Sequence, residues 1–135
     1  MNLAFTADLM VKRIASLVQP FDLTPGSGLV LSILADTDTP LPPNEIAERL
    51  IISRATVTGL IDTLERRGYV CRMPHQSDRR MILVEITETG RAVANTFRPL
   101  VHEHQKEWFG VLSEPEQAKL IDLLHQLQAK LMEDG

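Results

Sequence analysis

Between Ser53 and Arg80 the chain concentrates six arginines, Arg54, Arg66, Arg67, Arg72, Arg79 and Arg80, against three acids, Asp62, Glu65 and Asp78. That stretch carries +3, whereas the remaining 8 basic and 15 acidic residues give −7, so the chain as a whole stands at −4. An overall negative charge argues against a nucleic-acid binder, but the distribution matters more than the total. The guanidinium is a planar fork of donors that grips phosphate oxygens and base edges with two parallel bonds. Arginines gathered in one short segment of an otherwise acidic chain therefore point to a polyanion. The competing reading is a solvated helix face followed by an ordinary hairpin.

The elements that must carry these arginines are legible around them. Ser53 is a suitable N-cap, because its hydroxyl can accept from a free N–H of a first helical turn. After it, Val57, Leu60, Ile61 and Leu64 fall at i, i+3, i+4 and i+7, one apolar stripe of a helix running to Arg67. The opposite face is small and polar: Arg54, Ala55, Thr58, Gly59, Asp62 and Arg66. Gly68 supplies the left-handed residue that closes a helix. Val70 to Met73 and Ile82 to Ile86 then read as two strands joined by a loop from Pro74 to Arg80. A polar-faced helix followed by a basic-tipped hairpin is the plan of a winged helix-turn-helix. Such a helix fits the major groove, and the hairpin tip reaches the neighbouring minor groove.

The remaining segments supply a frame. Leu3, Leu9, Met10, Ile14, Leu17 and Val18 have near-helical spacing, which predicts an amphipathic helix stopped before Pro20. Thr24 as N-cap and Pro25 at the first helical position start a second helix through Ala35, expected to bury Leu29, Val30, Ile33 and Leu34. Asp36 to Pro42 reads as a loop. Pro43 to Leu50 is a short helix with Ile46, Ala47 and Leu50 inward, and Ile51 and Ile52 make the turn into Ser53. Asn44 and Glu45 lie in its first turn, where free N–H groups can hold a phosphate. Thr87 caps a long helix to about Gly110, with Pro99 inside it removing one backbone donor and bending it. Ser113 and Glu116 form a capping box for a last helix rich in leucine.

Composition excludes other classes. The chain has 135 residues, 44% hydrophobic and 24% charged, which suits one small globular domain with a helical arm. Asp8, Lys12 and Arg13 interrupt the apolar residues from Met1 to Val18, so this stretch lacks the apolar block of a signal peptide. A lone cysteine, Cys71, allows no internal disulfide, and the expected setting is cytoplasmic. No catalytic constellation or cofactor motif is found, so the expectation is a protein that is not an enzyme and needs no cofactor or metal. His102 and His104 are two apart on a helix and point in different directions. Cys71 beside Arg72 reads either as a redox thiol or as a small packed side chain.

Three runs, FDLTPGSGLVLSIL, NEIAERLIISRATVTGLIDTLERRGYVCR and SDRRMILVEITETGR, together resemble the MarR family of bacterial regulators over almost the whole chain. The resemblance implies a mainly α fold with a small β-hairpin wing: a winged helix-turn-helix at residues 21–98, with residues 1–20 and 99–135 as a helical dimerisation region. It implies a homodimer on double-stranded DNA with a palindromic operator, most often a repressor, relieved by a small-molecule effector bound between the two parts. The alternative is a winged module that binds a small molecule or a protein without reading DNA. Carried over by position, Ser53 to Arg67 is the recognition helix, with Arg54, Ala55, Thr56 and Thr58 at its reading end. Arg80 enters the minor groove, Asp78 orients it, and Arg79 lies along the backbone. Gly28 and Pro42 depart from the family's usual glutamine and its usual Thr or Ser.

Overall fold

The computed structural model describes residues 1–135. In chain order it comprises α1 (Asn2–Val18), α2 (Pro25–Asp36), α3 (Pro43–Leu50), α4 (Arg54–Arg66), β1 (Val70–Pro74), β2 (Ile82–Ile86), α5 (Glu88–Phe109) and α6 (Glu114–Asp134). It is a mainly helical winged helix-turn-helix, as the pattern implies. Met1–Val101 and His102–Gly135 form two separate compact units.

In the first unit, α2, α3 and α4 bury their apolar sides in one core containing Val30, Leu31, Leu34, Ile46, Val57, Ile61 and Leu64. Burying a side chain of this kind contributes about 1.5–3 kcal/mol. Thr24 caps α2 as expected, and Ser27 completes a reciprocal box: Ser27 N–H donates to Thr24 Oγ1 at 3.2 Å and Thr24 N–H to Ser27 Oγ at 2.9 Å. Leu29 departs from expectation, being 54% exposed, while Leu31 is fully buried. The stripe that faces the core is Ser27, Val30, Leu31 and Leu34, and at 100° per residue Leu29 lies on the far side of it. The first α-helix ends at Val18, before Pro20, as expected. Gln19–Phe21 continue as a 3₁₀ turn, and Asp22 ends it in the left-handed region at φ 60°.

The wing is a two-stranded antiparallel sheet in the register Val70↔Ile86, Arg72↔Val84 and Pro74↔Ile82. The segment before α3, read as loop, adds one rung: Leu41 N–H donates to Val84 O at 3.0 Å and Val84 N–H to Leu41 O at 2.8 Å. Gly68 adopts φ 78° at the end of α4, the left-handed closure that its position requires. Thr87 Oγ1 accepts from Gly90 N–H at 3.0 Å and donates to Gly68 O at 2.6 Å, joining the start of α5 to the end of α4. Where the resemblance implies a ligand pocket, among α1, α2 and α5, the rings of Phe21 and Phe97 meet at 6.2 Å. Gly28 is buried there, with Phe97 beside it.

The second unit ends in α6, whose box is present on both sides: Ser113 N–H donates to Glu116 Oε1 at 2.8 Å and Glu116 N–H to Ser113 Oγ at 3.3 Å. The backbone bond from Ser113, then the side-chain one, hold the Glu116 carboxyl below its ordinary range. Gln117 Nε2 donates to Phe109 O at 2.8 Å and Leu112 O at 3.1 Å, closing the turn before α6. No residue of α6 is buried, and Ile121, Leu123, Leu127, Leu131 and Met132 are exposed. On α1 only Val18 is buried, while Leu3, Phe5, Leu9 and Val11 are exposed. No helix is long and apolar enough to cross a membrane.

Gly90 is where α5 crosses the Tyr69 backbone, and a Cβ there would overlap the Tyr69 carbonyl oxygen. Gly90→Ala should cost about 3 kcal/mol, at the upper end of overpacking effects. A Cβ added at Gly59, on the outer face of α4, would meet nothing within 4 Å. Gly59→Ala should therefore stabilise by about 0.5–1 kcal/mol through helix propensity. Urea unfolding of both variants checks the contrast.

Candidate nucleic-acid interface

Three chain segments converge on one open cleft of about 360 Å³, bordered by Pro42, Pro43 and Asn44 of α3, Arg54 and Thr58 of α4, and Arg72, Arg80, Met81 and Ile82 of the wing. Each segment arrives for a local reason. Pro42 is the N-cap of α3 and offers no side-chain bond, so the departure at this position leaves the helix start uncapped by a hydroxyl. Its carbonyl accepts from Glu45 N–H at 3.1 Å and Ile46 N–H at 3.3 Å. Asn44 stays exposed in the first turn, where helix N–H groups lack helical acceptors. Ile51 takes φ 56° after α3 and turns the chain toward α4.

Ser53 caps α4 by accepting from Thr56 N–H at 3.1 Å, and the two hydroxyls lie 2.8 Å apart. These two hydroxyls are thus engaged with each other at the helix start. Thr58 Oγ1 donates to Arg54 O at 2.9 Å, which leaves its oxygen free to accept. Val57, Ile61 and Leu64 are buried, so Arg54, Ala55, Thr56 and Thr58 all face outward. Arg54 makes no ion pair within the chain, and its guanidinium is free for an external anion.

The wing tip is ordered by side chains that cap its backbone. His75 Nδ1 accepts from Ser77 N–H at 3.1 Å and Asp78 N–H at 3.2 Å. Asp78 Oδ1 in turn accepts from Arg80 N–H at 3.0 Å and lies 3.6 Å from Arg80 Nε. Asp78 and Arg80 are therefore paired. Arg79 and Arg80 form a turn, and the carboxylate closes it mainly through the Arg80 backbone N–H. Arg80 is 93% exposed at its side chain, and Arg79 is exposed without an ion pair.

The cleft therefore unites Asn44, Arg54, Thr58 and Arg80. Ser53, Ala55 and Thr56 lie at the adjoining helix start, and Asp78 and Arg79 lie at the tip. Two other arginines of the segment have carboxylate neighbours of their own. Arg67 stands 3.6 Å from Asp22. Arg72 Nη2 donates to Asp62 Oδ1 at 2.6 Å and its Nη1 to Glu65 Oε1 at 2.7 Å. Burial opposes the Arg72 charge, and the bonds and charges of Asp62 and Glu65 outweigh it, so the pKa is raised. The Asp62–Glu65 clamp, the capping role of His75, and the cleft walls Met81 and Ile82 were not read from sequence. The signal for the clamp was present: Val70, Arg72 and Pro74 share a strand face whose other members call for apolar neighbours. Cys71, on the opposite face, is half-buried. In the second unit His104 packs against Trp108 with ring centroids 6.2 Å apart.

A family model described as the MarR family matches residues 23–82, which run from just before α2 to the first residue of β2. The winged domain belongs to the MarR family. Over 78 residues the chain is 41% identical to the HTH-type transcriptional repressor YetL of Bacillus subtilis, covering 57% of this chain and 47% of YetL. Over 92 residues it is 30% identical to the HTH-type transcriptional regulator PecS of Dickeya dadantii, covering 68% of this chain and 55% of PecS. The matches span about half the length of these curated relatives. Among solved structures, a mutant MarR from E. coli complexed with operator DNA matches with TM-score 0.85 and 25% identity over 93% of this chain and 89% of that one.

Within this MarR-family domain the Asp78 carboxylate is the acceptor that closes the wing turn. Asp78→Ala should speed hydrogen exchange at the Arg80 amide while leaving the amides of α2 and α4 unchanged. Equal protection of Arg80 in both proteins would show that His75 alone orders the tip.

Proposed function

We propose that this protein is a DNA-binding transcriptional regulator that works as a homodimer on a palindromic operator and represses transcription. The observation that carries the reading is the convergence of Asn44, Arg54, Thr58 and Arg80 on one open face. Arg54 and Thr58 on α4 are suited to base edges and phosphates in the major groove. Asn44, at the start of α3, is suited to a backbone phosphate, which a helix N-terminus favours. Arg80 is suited to a narrow A·T-rich minor groove, whose enhanced negative potential attracts an inserted arginine. Ser53, Ala55, Thr56 and Arg79 flank these contacts, and Asp78 holds the wing turn. The operator complex of the E. coli MarR mutant and the repressor YetL support the same reading.

The exposed apolar faces of α1 and α6 support the homodimer. Covering them calls for an interface on the order of 2,000 Å² or more, the range of obligate assemblies. Sedimentation at micromolar concentration should give the mass of two chains. A folded single chain would remove the palindromic part of the proposal.

The DNA-reading part is tested by selecting bound fragments from the source genome and measuring affinity across salt concentrations. Arg80→Ala should weaken a selected site by about 1–3 kcal/mol, the scale of one good specific contact. Arg80→Lys should recover only part, because ammonium is more strongly hydrated and lacks the planar fork. Thermal melts serve as the folding control. Unchanged affinity in a folded Arg80→Ala protein would mean that the wing does not read DNA. Absence of any salt-dependent binding by the unaltered protein would favour a winged module of another kind.

A further inference from the structure

Arg72 stands where strand geometry asks for an apolar residue. It lies opposite Val84 in the sheet register and two residues after Val70, and both valines are fully buried. Directly opposed residues and i, i+2 neighbours share one side of a sheet, so Arg72 belongs to the core-facing side. Its side chain is 25% exposed. The guanidinium leaves that face toward α4, where Asp62 and Glu65 are separated by three residues and so stand side by side on the helix. Three bonds run from this one strand residue to the helix: to Asp62 Oδ1 at 2.6 Å, to Glu65 Oε1 at 2.7 Å, and from the Arg72 main-chain N–H to Glu65 Oε2 at 3.2 Å.

A two-stranded hairpin has little stability of its own, so the wing takes its orientation from what holds its strands. On the β2 side the hold is the Leu41–Val84 rung. On the β1 side it is the Arg72 clamp. An isolated surface ion pair would contribute little, but one guanidinium shared between two carboxylates, with a main-chain bond beside it, is a network on a part-buried base. The same hairpin carries Arg80, and the same helix carries Arg54, on the two sides of the cleft. With Asp62 and Glu65 both ionised the cluster is net negative. Its contribution to a DNA-reading face is therefore geometric rather than a gain of positive charge.

We propose that Arg72, held by Asp62 and Glu65, is a positioning residue that locks the wing to the recognition helix. The clamp sets the one spacing between a major-groove core and a minor-groove flank that the protein reads. The inference rests on the DNA-reading function proposed above. Without the clamp the hairpin samples several angles. Arg80 then pays an ordering cost on binding that a preorganised wing avoids.

The test is a coupling measurement with wild type, Arg80→Ala, Asp62→Asn/Glu65→Gln and the combined triple variant. Affinities are measured at fixed salt on a genome-selected site and on duplexes whose A·T-rich flank is moved by one base pair either way. In the wild-type background Arg80→Ala should cost roughly tenfold or more. In the Asp62→Asn/Glu65→Gln background the same substitution should cost less than about threefold, a strong coupling between groups that do not touch. The preference for one flank spacing should flatten in parallel. If Asp62→Asn/Glu65→Gln binds every duplex more tightly and keeps full spacing preference, the acids act only through charge and the proposal is overturned. Equal Arg80→Ala losses in both backgrounds overturn it too. Arg72→Lys, which keeps the charge but can reach one carboxylate at a time, should show the intermediate spacing preference and guards against misfolding of the double variant. Loss of any Arg80→Ala effect in the wild-type background would instead refute the reading of DNA by the wing, and is visible without any change to the clamp.

Discussion

Burial of the α4 stripe is the constraint on which the rest of the structure depends. Val57, Ile61 and Leu64 are all buried against α2 and α3. Together their burial outweighs any single surface contact of the helix by several-fold. Once that stripe is inward, the rotation of α4 is set, and Arg54, Ala55 and Thr58 must face out. The small polar residues on the exposed side would otherwise be a poor choice for stability, since threonine and glycine are weak helix formers. They make sense as a low-relief surface on which another molecule can lie closely.

Two further anchors transmit that rotation to the hairpin. The Leu41–Val84 rung ties β2 to the segment entering α3, so the sheet and the first helix of the pair share one strand residue. Arg72 ties β1 to α4 through two acids. The start of α5 is joined in turn through Thr87, whose hydroxyl bonds both Gly68 and Gly90. The lack of a side chain at Gly90 lets α5 begin directly over the Tyr69 carbonyl. Tyr69 also reaches back, its hydroxyl donating to Phe21 O at 2.8 Å. Polar bonds at the periphery thus align elements that the apolar core alone would leave free to slide.

The arginines divide according to what surrounds them. Arg54 and Arg79 carry no internal partner, and Arg80 keeps only a 3.6 Å approach to Asp78 while remaining almost fully exposed. Arg72 is committed to its own fold. A count of charge along the chain treats these residues alike, although their roles differ. A guanidinium between two carboxylates presents little to a phosphate, whereas an unpaired one at a helix start or hairpin tip presents its full fork.

Local chemistry determined much of this protein. The α4 stripe, the caps at Ser53, Thr24 and Ser113, the left-handed Gly68 and both wing strands follow from period and turn residues close in sequence, because each is satisfied within a few residues. Pattern and motif together were enough to name the winged architecture and the family of its domain. What the tertiary structure decided involves partners on different elements. The Leu29 side of α2 is exposed because the core lies along Ser27, Val30, Leu31 and Leu34, a choice made by what α2 packs against rather than by its own composition. Leu41 became a strand partner only when β2 was brought beside it. The Asp62–Glu65 clamp on Arg72 arises across the turn from α4 into β1. The cleft that unites Asn44, Arg54, Thr58 and Arg80 exists only where three segments meet, since no local rule brings residue 44 beside residue 80.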